Sequence, residues 1–165
     1  MTPVSYFRSF IFGVEDSLVS SVGLLSGIAI ANVPKETIFL TGVILIFVEA
    51  FSMAAGTFLS EYSAESYENK TEKMTRKNFI SGIIMFFSYF FSGFIPLTPY
   101  LIFSTEKALI FSITLSIISL LILGLIGAKI SKTSLIKNGA RMVIIGGTAI
   151  AVGLAAGILL TKFKI

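Results

Sequence analysis

The sequence contains five apolar runs that are each long enough to cross a lipid bilayer as an α-helix. Such a helix needs about 20 predominantly apolar residues. Of the 165 residues, 55% are hydrophobic and the mean hydropathy is +0.92, which is too apolar for a soluble domain of this length. We therefore predict an all-α integral membrane protein whose five transmembrane helices lie at about residues 10–32, 38–60, 79–103, 108–128 and 142–160.

Three prolines mark the points where helix geometry is expected to fail, namely Pro34, Pro96 and Pro99. The first run is expected to be retained as a span, because Glu15 and Asp16 lie inside it and no cleavage site for a signal peptide follows. The segments between runs are too short to fold alone, so the sequence predicts one transmembrane domain over residues 1–165. An odd number of spans places the two termini on opposite sides.

Lysine and arginine residues are distributed unevenly between the two sides. If the N-terminus is cytosolic, nine lie in cytosolic segments and four on the other side, which agrees with the positive-inside rule. The nine are Arg8, Lys70, Lys73, Arg76, Lys77, Lys129, Lys132, Lys137 and Arg141, and the four are Lys35, Lys107, Lys162 and Lys164. We predict a cytosolic N-terminus and no nucleic-acid binding, since the basic residues simply follow the loops.

Three acidic residues lie within predicted spans, namely Glu15, Asp16 and Glu49. An ionised acid near the bilayer centre costs about 2.5–3.5 kcal/mol, so such residues pair, take up a proton or line a wet path. Glu15, nearest the cytosolic surface, could instead extend to the interface. Asp16 shares a helical face with small residues, Gly23 and Gly27 among them, which would let another backbone approach closely.

In the second span, Glu49, Met53, Gly56 and Ser60 share one helical face. The chain has no Cys and no His, so a metal ion would have to be held by oxygen and thioether ligands. Glu49 and Met53 are therefore candidate metal ligands, with Asp16 from the first span as a third. The alternatives are a protonated Glu49 bonded to a neighbouring helix and a Met53 that only packs. Glu15, Asp16 and Glu49 are also candidates for proton coupling.

An acidic segment at residues 61–77 follows the second span. The helix is expected to turn back at Asn69 and Lys70, because an unbroken helix would be far longer than the bilayer is thick. The segment would then be a short cytosolic hairpin in which Glu72 begins the next helix. Its four glutamates would repel one another, which a bound cation would relieve, although a solvated helix face is an equally simple reading. The candidate metal ligands here are Glu61, Glu65, Glu68 and Glu72.

Several motifs together resemble the vacuolar iron transporter family over nearly the whole chain. They are FGVEDSLVSSVGLLSGIAIA at 12–31, FVEAFSMAAGTFLSEYSAESYE at 47–68, GFIPLTPYLIF at 93–103 and NGARMVIIGGTAIAVGLAAGILL at 138–160. The resemblance implies a five-span homodimer that exports cytosolic ferrous iron, and often manganese, in exchange for protons along a path at the dimer interface. Asp16 matches the first-span acid tied to proton and metal movement, and Met53 matches the second-span methionine on the metal path.

The chain departs from the family pattern at several positions. Ser17 replaces a glycine, Leu45 occupies the place of the family's second-span acid, and Thr57 stands where a glutamate is common. Glu49, one turn closer to Met53, is either a shifted substitute for the missing acid or unrelated to it. The loop after the second span is too short for the three-helix metal-binding domain of plant and parasite members, so the ligands of that domain do not transfer.

The sequence therefore predicts a transporter for Fe²⁺, and for Mn²⁺ as a second substrate, with no permanent cofactor. The partners expected are the metal ion, protons, the lipid bilayer and a second copy of the chain. The short loop favours a prokaryotic plasma membrane, with a vacuolar membrane as the alternative. The runner-up function is a membrane scaffold or sensor that binds metal without moving it. An enzyme using Ser20, Ser21 and Asp16 ranks lower, because no nucleophile and base pair is recognisable.

Overall fold

A computed structural model describes residues 2–70 and 72–163, so Lys164, one of the cations counted above, lies outside the described residues. The described chain is helical, which confirms the predicted all-α class, and five of its helices are long and apolar enough to cross a membrane. The helices extend past the predicted spans at most ends. They are α1 (Thr2–Ile30), α2 (Lys35–Asn69), α3 (Arg76–Leu97), α4 (Pro99–Ile102), α5 (Thr105–Ile130) and α6 (Leu135–Lys162).

Two of the three prolines mark helix boundaries, as the sequence predicted. Pro34 precedes the first residue of α2 and Pro99 begins the separate helix α4 after a turn at Thr98, but Pro96 lies inside α3. The expectation that helix geometry fails at Pro96 was therefore wrong. A proline removes one backbone donor, and neighbouring side chains can restore polar contacts nearby. Here the Ser112 hydroxyl of α5 donates to the Pro96 carbonyl at 2.7 Å.

Helix α1 is the most buried span and contacts all four other spanning helices, while α3 packs along both α1 and α2. On the other side, α1 packs against α5 and α6. The apolar core gathers side chains from four helices, including Leu25, Ile46, Leu97 and Ala108. This arrangement leaves α1 and α2 in contact over a smaller area, with α3 behind both.

The first and last helices cross at a seam of glycines. A Cβ atom placed on Gly153 would overlap the carbonyl oxygen of Gly23, and one on Gly157 would overlap that of Gly27. Only residues without a side chain allow two helix backbones to approach so closely. The close approach predicted from the small-residue face of the first span is therefore confirmed, and the partner helix is α6.

Helix α2 continues well past the predicted span and ends at Asn69, where Lys70 takes a left-handed conformation with φ of 52°. Its 35 residues correspond to about 52 Å, more than the roughly 30 Å of a hydrocarbon core. The chain thus turns at Asn69 and Lys70, but Glu72 lies in a non-helical segment and α3 begins only at Arg76. The expectation that Glu72 starts the next helix was wrong, because the side chain of Thr75 caps α3 by accepting from the Asn78 amide.

Candidate metal path

A groove with a volume of 820 Å³ runs between α1 and α2, with α3 as its floor. Most of its wall is apolar, but one carboxylate, two thioethers and several hydroxyl groups lie along it. The residues that carry these groups, and the cation at one end, are Arg8, Ser9, Glu15, Met53, Thr57, Ser60 and Met85. In a bundle this apolar, such a row of ligand atoms is where a metal ion could pass.

The second-span face predicted from helical spacing is present in this groove, with one exception. Met53, Gly56 and Ser60 all line it, as their spacing indicated. Glu49 does not, although it lies on the same face of α2. It is one helical turn beyond Met53, about 6 Å farther along the axis, and the groove ends before that level.

The two adjacent acids of α1 take different positions. Glu15 lines the groove, whereas Asp16 lies outside it, close enough to Glu49 for the two carboxyl groups to interact electrostatically. Neighbouring side chains on a helix point about 100° apart, which explains the separation. The structure thus divides the candidates into Glu15 with Met53 in the groove, and Asp16 with Glu49 deeper in the bundle.

Tyr89 of α3 lies beside this deeper acidic pair. Both Asp16 and Glu49 are close enough to interact electrostatically with its phenol group. The Tyr89 phenol oxygen lies 2.7 Å from the Ser20 hydroxyl, and the Ser17 hydroxyl donates to the Tyr89 carbonyl at 2.6 Å. Ser17, the residue that replaces a glycine in the family pattern, is therefore fully buried and ties α1 to α3.

Met85 is a second thioether on the groove that the sequence reasoning missed. It is 1% exposed, and its sulfur would lie 3.0 Å from a Cβ atom placed on Gly13. Gly13 therefore provides the space in which the Met85 side chain packs against α1. The sequence did contain a pattern that could have indicated Met85, because Ser81, Met85, Tyr89 and Ser92 recur at helical spacing in the third span. In the structure all four are buried on one face of α3.

At the end of the groove, Glu61 is buried and binds groups from both neighbouring helices. Its carboxylate forms ion pairs with Arg8 of α1 and with Lys77 of α3, whose Nζ atom lies 3.1 Å from Oε2. It also accepts a hydrogen bond of 2.7 Å from the Ser5 hydroxyl. Glu61 is 6% exposed, so these contacts close the bundle at this end.

The other three glutamates of the acidic segment are more accessible. Glu65 accepts from the Thr75 hydroxyl at 2.8 Å and lies 3.4 Å from Lys77, while Glu68 and Glu72 are exposed. The repulsion that the sequence predicted within this segment is thus relieved at Glu61 and Glu65 by basic side chains of α1 and α3. These two residues therefore need no bound cation to offset their charge.

Within residues 2–70 and 72–163, no group of three or more Asp, Glu, His or Cys side chains converges on one point. A metal ion bound by one chain would therefore take further ligands besides carboxylates, such as thioether, hydroxyl, carbonyl or water groups. The groove offers this mixture through Glu15, Met53 and Met85.

The comparisons with known proteins agree with this architecture. The sequence model of the VIT family matches residues 7–80 and 73–158. Vacuolar iron transporter homolog 2 of Arabidopsis thaliana is 26% identical over 159 residues, covering 89% of this chain and 80% of that protein. Vacuolar iron transporter homolog 1 of the same plant is 25% identical over 160 residues, with 89% and 79% covered. Vacuolar iron transporter cccA of Arthroderma benhamiae is 29% identical over 106 residues, which cover 59% of this chain and 38% of that protein.

The family match extends over nearly all of α1 to α6 and includes every residue that lines the groove from Phe7 onward. It therefore covers the whole membrane-spanning bundle and not an isolated motif. This chain is an integral membrane protein that belongs to the VIT family.

Proposed function

We propose that this protein transports ferrous iron across the membrane through the groove between α1 and α2. The observation that carries the proposal is the row of ligand atoms in this groove, where Glu15, Met53 and Met85 line an otherwise apolar wall. Ionisable and polar groups placed together at membrane depth are typical of ion pathways. The names of the family relatives, which are vacuolar iron transporters and their homologs, support iron as the cargo.

The ligand chemistry favours Fe²⁺, with Mn²⁺ as a second substrate. Carboxylate oxygens suit Mg²⁺, Ca²⁺, Mn²⁺ and Fe²⁺, while a thioether adds a soft ligand that Mg²⁺ and Ca²⁺ do not use. Two thioethers, Met53 and Met85, strengthen that bias. The metal is cargo in this proposal, and no resident cofactor is required.

Proton exchange is assigned to the acids of α1 and α2. An acid within the membrane can hold either a proton or a cation, which is the simplest device for coupling two ion movements. Glu15 meets the metal in the groove, and Asp16 with Glu49 forms a deeper pair that Tyr89 and Ser20 connect to α3. Metal leaving Glu15 would then be replaced by protons delivered through Asp16 and Glu49.

We propose that two copies of the chain face each other across this groove. One side of the groove is open, and the carboxylates of one chain do not converge on a common point within its described residues. A two-fold partner would close the open side and double the number of ligands. The resemblance to a homodimeric family with its path at the interface supports the same arrangement.

The acidic segment remains the predicted cytosolic entrance. Glu68 and Glu72 are exposed and are proposed to meet the ion first. Glu61 and Glu65 would contribute only after releasing Arg8 and Lys77, to which they are bound. The positive-inside distribution supports the cytosolic position of this segment. The relatives' names specify vacuoles, which lends no support to the prokaryotic plasma membrane predicted from the short loop.

The test is uptake of Fe²⁺ into liposomes that contain the purified protein, under an imposed pH gradient. We expect gradient-dependent uptake by the wild-type chain and a loss of at least tenfold in Met53→Leu. Met74→Leu is the matched control, because Met74 is an exposed methionine outside the helices. Iron binding without uptake would contradict transport and support the scaffold or sensor function instead.

A further inference from the structure

A second cleft, with a volume of 450 Å³, lies between α1, α5 and α6, and Phe7 and Ile11 of α1 separate it from the groove between α1 and α2. It opens where α5 ends and α6 begins. Its rim carries the basic side chains of Lys137 and Arg141 together with the hydroxyl groups of Ser131 and Ser134, while Phe7 and Ile11 of α1 form part of its apolar floor.

The cations at this rim lack an acidic partner in the described part of the chain. Lys137 and Arg141 form no ion pair with any described residue, and the sequence contains no Asp or Glu after Glu106. At the end of the groove between α1 and α2, by contrast, the two cations Arg8 and Lys77 both form ion pairs with Glu61. The positive charge at the cleft is therefore left uncompensated by the side chains around it.

The segment that joins α5 to α6 is held in a defined shape beside these cations. The Asn138 side-chain amide donates to the Thr133 hydroxyl at 2.9 Å and to the Ser134 carbonyl at 3.1 Å. Below it, α5 and α6 touch at Gly124, where an added Cβ atom would lie 2.8 Å from the Asn138 carbonyl oxygen. The 28-residue α6 begins at this rim, where the Ser134 hydroxyl accepts from the Lys137 amide, and the positive end of the helix dipole adds to the charge of the two cations.

We propose that this cleft binds the head group and upper acyl chain of an anionic phospholipid. The two cations and the start of α6 would hold the phosphate, and the apolar floor would take the chain. Basic pockets between transmembrane helices at the membrane surface bind anionic head groups in this way. A free phosphate ion would use the rim but leave the apolar floor without an occupant, which is why we assign a lipid.

The chain contains no tryptophan, so one introduced at the cleft gives a single fluorescent reporter. We would place it as Phe7→Trp and reconstitute the protein with lipids whose acyl chains carry a quencher near the head group. Quenching would be compared between labelled phosphatidylglycerol and labelled phosphatidylcholine. We expect roughly tenfold stronger relative binding of the anionic lipid, from two cations near the membrane surface.

The charge dependence is tested with Lys137→Gln and Arg141→Gln combined in the same reporter. Both side chains are exposed, so the fold should be unaffected. The preference for phosphatidylglycerol should disappear in this variant and persist in the matched control, Lys35→Gln with Lys107→Gln, which removes two cations from the opposite end of the bundle. Phe7 also borders the first groove, and quenching there would be insensitive to Lys137 and Arg141.

Equal quenching by the two lipids in the wild-type reporter would overturn the proposal, as would an unchanged preference after the Lys137 and Arg141 substitutions. Inorganic phosphate is the competing ligand in a third measurement. We expect millimolar phosphate to leave the lipid preference intact, and its displacement by phosphate would show a site for the free anion and contradict the lipid assignment.

Discussion

The hydroxyl oxygen of Ser20 lies 2.7 Å from the phenol oxygen of Tyr89, and this hydrogen bond joins α1 to α3 beside Asp16 and Glu49. Neither acid lines the groove that contains Glu15 and Met53. The proposed exchange requires protons to move between Asp16 and Glu49 and the groove. The Tyr89 phenol of α3 lies near both of these acids.

Tyr89→Phe tests this contact. The substitution preserves the ring but removes the phenol oxygen, so we expect the free energy of unfolding to fall by about 0.5–1.5 kcal/mol. Iron uptake driven by a pH gradient should fall more than iron binding does, because the phenol lies near Asp16 and Glu49, to which we assign the proposed proton exchange, and not in the groove. Tyr67→Phe, at an exposed tyrosine, is the control. Equal losses of binding and uptake would contradict a role in proton movement.

Met85→Leu tests the second thioether. Leucine has a similar volume, so the unfolding free energy should change by less than about 1.5 kcal/mol. Uptake of Fe²⁺ should fall, and competition by Mg²⁺ and Ca²⁺ should rise relative to the wild-type chain, since only the soft ligand is lost. The measurement is Fe²⁺ uptake in liposomes with each competing ion. A variant with unchanged uptake and selectivity would show that Met85 only packs against Gly13.

Part of this site could be predicted from the sequence because helical spacing is a local property. It placed Met53, Gly56 and Ser60 on one face, and the structure finds all three in the groove. Spacing within one helix does not report where a groove ends, so it could not separate Glu49 from Met53.

Helical spacing within one helix could not predict contacts between different helices. Lys77 lies on α3 and Arg8 on α1, so the sequence of α2 alone could not show that they neutralise Glu61. Met85 could have been predicted, because it lies one helical turn before Tyr89 in the third span. A methionine in an apolar helix usually only packs, however, so its identity alone does not indicate a ligand.

Glu61→Ala tests the cluster at the end of the groove. The substitution removes the ion pairs with Arg8 and Lys77 and the hydrogen bond from Ser5, so we expect a loss of about 1–3 kcal/mol in unfolding free energy. Glu68→Ala, at an exposed glutamate of the same helix, should change it by no more than about 0.5 kcal/mol. Thermal unfolding in detergent measures both. Similar effects at the two positions would mean that the ion pairs contribute little.

Gly153→Ala tests the seam between α1 and α6. Its new methyl group would overlap the carbonyl oxygen of Gly23 and force the helices apart, at a cost of about 1–3 kcal/mol in unfolding free energy, measured by thermal unfolding in detergent. Gly147→Ala on the same helix is the matched control, because a Cβ atom there meets nothing within 4 Å. The control should be neutral or stabilising by up to about 1 kcal/mol through helix propensity. Equal destabilisation of the two variants would contradict the close crossing.

The central claim is that metal moves through the groove between α1 and α2, and the lack of cysteine in the chain allows a direct test. Gly56 lines the groove, and a Cβ atom placed on it would meet nothing within 4 Å, so Gly56→Cys puts one thiol on the path. Ser63→Cys places an exposed thiol on the acidic segment of the same helix, outside the groove. After reaction with a membrane-impermeant maleimide, iron uptake should stop in Gly56→Cys and continue in Ser63→Cys, and Fe²⁺ should slow the reaction only at Gly56→Cys. Full uptake by labelled Gly56→Cys protein would contradict the account.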